Sequence, residues 1–226
     1  MKACIFDLDG TLTDTLESLV YSVNGSLKEM GLPAISKEQC RRFVGNGARR
    51  LMECSLEAAG DAGASRIAEA MQVYGRIFGA NCTYRVVPYD GIPEMLQKLK
   101  SRGIRLAVLS NKPHGQTVDV VRAVFGEGCF DCVQGQTDAI PRKPDPAGVY
   151  SLLEKMGVSA GECLYIGDSE VDIATGNRAG VRCVGVDWGF RSRQTLEDAG
   201  AEVIVSRPDQ ILQFISDVSE DVRRDG

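Results

Sequence analysis

Short apolar runs rich in valine and isoleucine recur along the chain, at Ala3–Phe6, Arg105–Leu109, Cys163–Ile166, Val181–Val186 and Val203–Val205. Each is followed by Gly, Asp or Ser and then by a stretch with helical spacing. The runs are almost wholly apolar rather than alternating, which is the pattern of strands covered by helices on both faces. The pattern predicts an α/β fold with a doubly wound parallel sheet. From Asp14 to about Arg85 it changes, and no strand candidate occurs. Leu16, Leu19, Val20, Val23, Leu27 and Met30 recur at helical spacing, and Ile67, Met71, Tyr74 and Phe78 stripe a later helix. Between these, Ser36 and Gln39 form a capping box for a further helix. The chain therefore divides into a core of residues 1–13 and 86–226 and an inserted helical cap of residues 14–85. The insertion follows the first strand directly, where open α/β sheets place their ligand crevice, so a lid over that crevice is expected. The polar end, Ser219–Gly226, is expected to fray.

Composition narrows the function more than the fold. With 226 residues, 43% hydrophobic and 25% charged, the chain can bury a core without disulfides or structural metals. Its 26 Lys and Arg stand against 31 Asp and Glu, a net charge of -5. General attraction to nucleic acid or an anionic membrane is thereby disfavoured, and an anionic ligand must be held locally. The expected partner is a small molecule, and the expected state a monomer or weak dimer. The first residues reach Asp7 and Asp9 before an apolar stretch long enough for a signal peptide forms. No run approaches the ~20 apolar residues of a membrane span, and a cytoplasmic location is expected. Of the eight cysteines only Cys129 and Cys132 form a C-x-x-C pair. A zinc site would need a second pair, so these read as reduced thiols.

The chemistry gathers at strand ends. Asp7 and Asp9 close the first strand, on the same side of an extended chain, with Gly10 to turn the backbone and Thr11 to donate a hydroxyl. Ser110 ends a second strand, followed by Asn111 and Lys112. Asp168, Ser169 and Asp172 follow a third, and Lys143 lies in the stiff stretch Pro141–Pro146. Taken singly, each is an ordinary turn or helix start. Together they put several carboxylates on one edge of a parallel sheet, where they would repel one another unless a cation were bound. Oxygen ligands without His or Cys favour Mg²⁺ over Zn²⁺. A Ser-His-Asp arrangement would have to use His114, the only histidine, and no Gly-x-Ser-x-Gly elbow accompanies it.

Asp7-Leu8-Asp9-Gly10-Thr11, Ser110, Lys143 and Gly167-Asp168-Ser169 with Asp172 resemble, in order and separation, the four motifs of the haloacid dehalogenase-like hydrolases, and the resemblance spans most of the chain. It implies a Rossmann-like core, a helical cap after the first motif, Mg²⁺ dependence and phosphoryl transfer through an aspartyl-phosphate. It implies that Asp7 is the nucleophile and Asp9 the general acid and base, while Ser110 and Lys143 hold the transferring group. Asp7, Asp168 and the backbone carbonyl of Asp9 would bind the metal, with Asp172 orienting the metal shell. Thr11, Asn111 and Ser169 are expected to touch substrate. Asp9 separates the chain from the dehalogenase and phosphonatase branches, which lack an aspartate there.

The segment Phe43–Leu51, with Ser110-Asn111-Lys112-Pro113, resembles the phosphoglycolate phosphatase branch, with 2-phosphoglycolate as the favoured substrate. Two readings of Gly45–Arg50 stand: a flexible bend with Arg49 and Arg50 solvated, or an Arg49 that enters the crevice and pairs with a substrate carboxylate. The same scaffold also serves a phosphomutase of the β-phosphoglucomutase type, a pyrophosphatase, a sugar-phosphate phosphatase or a phosphate-sensing protein.

Overall fold

The computed structural model describes residues 1–215, and the polar tail at 219–226 lies outside them. In chain order the elements are β1 (Ala3–Phe6), β2 (Thr13–Asp14), α1 (Leu16–Glu29), α2 (Lys37–Phe43), α3 (Gly47–Ala58), α4 (Ile67–Asn81) and β3 (Val87–Pro88). Then follow α5 (Ile92–Ser101), β4 (Arg105–Pro113), α6 (His114–Phe125), β5 (Cys132–Gln136), α7 (Ala147–Met156), β6 (Cys163–Gly167), α8 (Glu170–Ala179), β7 (Arg182–Val186), α9 (Arg193–Asp198) and β8 (Ile204–Val205).

Six strands form one sheet in the order β5-β4-β1-β6-β7-β8, and every neighbouring pair is parallel. This is the doubly wound α/β architecture, and the alternation of side chains shows why its strands are apolar throughout. Cys4, Phe6, Leu106, Val108, Leu164 and Ile166 face a core shared with α5, α6 and the helices of residues 16–81. Their neighbours Ala3, Ile5, Ala107, Leu109 and Tyr165 face α7 through Val149, Leu152 and Met156. Neither face of the central strands meets water, so a polar residue would be costly at any of these positions.

Two pairings escape the hydrophobic pattern. The edge strand β5 is Cys-Val-Gln-Gly-Gln and only partly buried, so it carries neither an apolar run nor a clean alternation. The second pairing, β2 with β3, joins Thr13 to Pro88 and Asp14 to Val87 in antiparallel fashion. Two residues a side are too few to show a period, yet they bring together the points where the chain leaves the sheet and returns to it.

Between those points α1 buries Leu16, Leu19, Val23 and Leu27 and packs on α4, which buries Ala70, Tyr74 and Phe78. The capping box of α2 is formed, with Gln39 N–H donating to Ser36 Oγ at 3.1 Å and Ser36 N–H to Gln39 Oε1 at 2.8 Å. Gly45 and Gly47 take positive φ, at 117° and 84°, and make the bend from which α3 starts. β4 is longer than its apolar run: beyond Leu109 its register with β5 shifts and resumes with Pro113 opposite Gln136, and β4 contacts α3.

Candidate active site

The strand ends converge as their positions in a parallel sheet require. Ligand-atom positions on Asp7, Asp168 and Asp172 lie within 4.8 Å of one another, and all three residues are buried. Asp7 follows β1, and its Oδ1 accepts Leu8 N–H at 2.7 Å and the Lys143 ammonium at 2.9 Å. Lys143 Nζ also donates to Asp172 Oδ1 at 2.7 Å, so one buried cation bridges two carboxylates. Burial alone would lower the Lys143 pKa, but the charges of Asp172 and Asp7 outweigh it and hold the ammonium above its ordinary value. Even so, the positive charge falls short of the negative. Burial, Asp172 and the other nearby acids raise Asp7 well above the carboxylate range despite Lys143. Burial and Asp172 push Asp168 up to about 7, although Phe190 N–H and the Thr11 hydroxyl oppose the shift.

Residues expected to touch substrate also make hydrogen bonds within the protein, and two of them, Asn111 and Ser169, border the cleft. Thr11 is fully buried, and its hydroxyl donates to Asp168 Oδ1 at 3.1 Å. Ser169 Oγ accepts Asp172 N–H and Asp172 Oδ2 accepts Ser169 N–H, the capping box of α8, and the Ser169 hydroxyl also donates to Asp172 Oδ2 at 2.5 Å. Asn111 spends its amide on backbone: Oδ1 accepts Lys143 N–H at 2.8 Å, and Nδ2 donates to Lys143 O at 3.1 Å and Gly45 O at 3.0 Å. Both oxygens of Asp172 accept hydrogen bonds, Oδ1 from Lys143 and Tyr165 and Oδ2 from Ser169. Ser110 Oγ accepts Lys112 N–H at 3.2 Å, leaving its own O–H to donate.

Arg49 is not at the site. It lies on the exposed side of α3, with Nε 3.0 Å from Glu53 Oε1 and its side chain 59% exposed. Helical geometry accounts for this: Leu51, Met52, Ser55 and Leu56 take the buried face, so Arg49 shares the solvent side with Glu53.

The loop after β7 carries residues that the motifs do not reveal. Trp188 Nε1–H donates to Thr11 O at 3.0 Å and Phe190 N–H to Asp168 Oδ2 at 2.7 Å. Arg191 pairs with Glu170 at 3.0 Å and donates to Arg41 O at 3.1 Å and Val44 O at 2.6 Å. Gly189 and Gly10 press against Asp168 so closely that a Cβ on either would collide with its carboxylate. Gly10 also has φ +91°, which L side chains rarely adopt. No local pattern marks this loop, because its partners are distant in sequence.

Above the acids lies a cleft of about 590 Å³ including its open mouth, within the usual range for small-molecule sites. Asp7, Asp9, Ser110, Asn111, Lys143, Asp168 and Ser169 border it from the core. Leu19, Val44, Leu51, Tyr74 and Phe78 form an apolar wall from the helices. The donor set fits a hard divalent cation: carboxylate oxygens cluster without an adjacent imidazole or thiolate, in surplus over the lysine that faces them. His114, the only histidine, is occupied elsewhere, accepting Gly135 N–H at its Nδ1.

The family model for haloacid dehalogenase-like hydrolases matches residues 4–186, and the chain belongs to that family. Among curated relatives, it is 36% identical over 207 residues to a phosphoglycolate phosphatase of Rhodospirillum rubrum, covering 88% of this chain and 85% of that one. Identity is 30% over 215 residues to the phosphoglycolate phosphatase of Aquifex aeolicus, covering 95% and 97%. Among solved structures, a predicted phosphoglycolate phosphatase from Haemophilus somnus 129pt superposes with a TM-score of 0.87 at 29% identity, covering 95% of this chain and 97% of that one.

Proposed function

We propose that this protein is a Mg²⁺-dependent phosphatase of small anionic phosphate monoesters, with 2-phosphoglycolate the favoured substrate, acting through an aspartyl-phosphate on Asp7. The observation that carries the reading is the under-neutralised cluster of Asp7, Asp168 and Asp172 around Lys143 at the floor of the cleft. The names of the relatives support the substrate. Residues 14–85 act as the cap over this cleft, a division suggested by the β2–β3 pairing at its base.

Leu8 N–H and Lys143 hold Asp7 Oδ1, leaving Oδ2 to act as the nucleophile. Asp7, Asp168 and the Asp9 carbonyl would hold Mg²⁺, which would supply the positive charge that keeps these acids ionised beside an anionic phosphate. Asp7 Oδ2 forms a bond to phosphorus as the ester P–O bond breaks, and Asp9 gives its proton to the leaving alkoxide. Asp9 then takes a proton from the water that attacks phosphorus, and Asp7 is released as carboxylate with inorganic phosphate. The Ser110 hydroxyl and the Lys143 ammonium steady the phosphoryl oxygens during transfer. Asp172, Thr11, Ser169 and Asn111 act behind these groups by fixing Lys143, Asp168 and the backbone around them.

A cytoplasmic setting suits the protein, since all eight cysteines are free thiols. The test is phosphate release from 2-phosphoglycolate, sugar phosphates and pyrophosphate with Mg²⁺. Fastest release from 2-phosphoglycolate is expected. Isomerisation of β-glucose 1-phosphate without release would instead favour the mutase.

A further inference from the structure

Among the described residues three cations border the cleft: Lys143, Arg191 and Lys112. Two are committed. Lys143 donates to Asp7 and Asp172, its remaining N–H being the one assigned above to the phosphoryl group, and Arg191 donates to Glu170 and two backbone carbonyls. Lys112 differs. Its side chain is 2% exposed, and Nζ lies 2.5 Å from Asp9 Oδ1 and 5.3 Å from the centre of the Phe78 ring. An ammonium has three N–H donors, and among the described residues Asp9 is the sole hydrogen-bond acceptor recorded for this one. It therefore brings unspent donor capacity and a positive charge into a space otherwise walled by Leu19, Leu51, Tyr74 and Phe78.

We propose that Lys112 is the specificity-determining residue of this cleft, reading a carboxylate on the leaving group of the phosphate ester. The inference rests on the phosphatase reading above for the orientation of the substrate. In that reading the leaving oxygen faces Asp9, and in 2-phosphoglycolate the carboxyl carbon is two bonds beyond that oxygen. The cation already bonded to Asp9 is the one within reach. A carboxylate there gains a charge-assisted hydrogen bond in a poorly hydrated site, where such contacts are strong. A neutral leaving group of the same size offers Lys112 nothing, and its polar groups meet an apolar wall. The Phe78 ring gives the ammonium a second electrostatic contact, so the reader is supported from the cap as well as from the core. Lys112 takes the role that sequence patterning offered to Arg49.

The test compares kcat/KM for 2-phosphoglycolate and for ethyl phosphate, with Mg²⁺, in the wild type, Lys112→Met and Lys112→Gln. Thermal melts establish that each variant is folded, and the glutamine variant serves if the methionine one is not. The ratio of the two kcat/KM values should fall at least ~10-fold on loss of the charge, mainly through KM for 2-phosphoglycolate. Equal losses on both esters would overturn the proposal and leave Lys112 as a support for Asp9. A second measurement is the calorimetric titration of 3-phosphonopropionate and propylphosphonate, which cannot be hydrolysed, into the Mg²⁺-loaded proteins. Weaker binding of the carboxylate analogue alone in the variants supports the proposal even if no ester is turned over, in which case only the phosphatase reading fails. A wild type that releases phosphate from both esters equally well overturns the role of Lys112 and leaves the phosphatase reading in place.

Discussion

Lys143 and the two carboxylates it bridges, Asp7 and Asp172, set the electrostatics of the site at the residue scale. Lys143→Met would strand both acids without their cation, and breaking such a buried arrangement costs ~3–5 kcal/mol. We expect that loss in denaturant unfolding of the metal-free protein, with partial recovery on adding Mg²⁺. Asp7→Asn keeps volume and removes the nucleophile, so phosphate release should vanish while the unfolding midpoint stays close to wild type. Arg49→Ala is expected to change kcat/KM for 2-phosphoglycolate less than twofold and stability by ~0.5 kcal/mol or less, the scale of an exposed helix pair. Motif spacing made Asp7, Asp9, Ser110 and Asp168 legible because each lies at or just beyond a strand end of a parallel sheet, while Lys143 comes from the loop between β5 and α7. Thr11, Asn111 and Ser169 were legible as members of the site, but not the hydrogen bonds of Thr11 to Asp168 and of Asn111 to the backbone of Lys143, which join residues far apart in the chain. Lys112 stood beside Ser110 in the chain, but its tie to Asp9 is made across 103 positions.

Elements differ in how much of themselves they show in sequence. The central strands and the helices α1 and α4 announce their periods because burial is one-sided or complete. β5, β2 and β3 do not, being short, polar or at an edge. The segment 187–191 has no period at all, yet through Trp188, Phe190 and Arg191 it joins the first-motif turn, Asp168 and the carbonyls of Arg41 and Val44. Arg191→Ala should therefore loosen α2 from the core. Faster hydrogen exchange over residues 41–46 is expected, together with a KM raised ~10-fold, the equivalent of ~1.4 kcal/mol of lost hydrogen bonding.

For the molecule as a whole, a net charge of -5 with a buried excess of carboxylates at one point ties stability to pH and metal. Asp168 stands at about 7 in the fold, raised by burial and by Asp172, while an unfolded chain holds such a carboxyl near ~4. The folded state thus binds a proton that the unfolded state releases in this interval. The stability this confers is complete below pH ~4 and is lost as pH rises through ~7. Thermal unfolding in EDTA should show a midpoint that falls between pH ~5 and ~8, and saturating Mg²⁺ should flatten that slope by replacing the proton. The doubly wound sheet that gathers the acids was readable from apolar runs alone. That residues of α1, α3 and α4 border the cleft was readable only as an expectation of position, since the contacts that seat these helices join residues far apart in the chain.

The central claim is that a phosphoryl group passes through Asp7, and rapid acid quench of the protein with 2-phosphoglycolate and Mg²⁺, followed by peptide mass spectrometry, addresses it most directly. A transient phosphoryl group on the peptide carrying Asp7, absent from the Asp7→Asn protein, is the result expected. Full phosphate release with no such adduct at any quench time, and undiminished in Asp7→Asn, would contradict it.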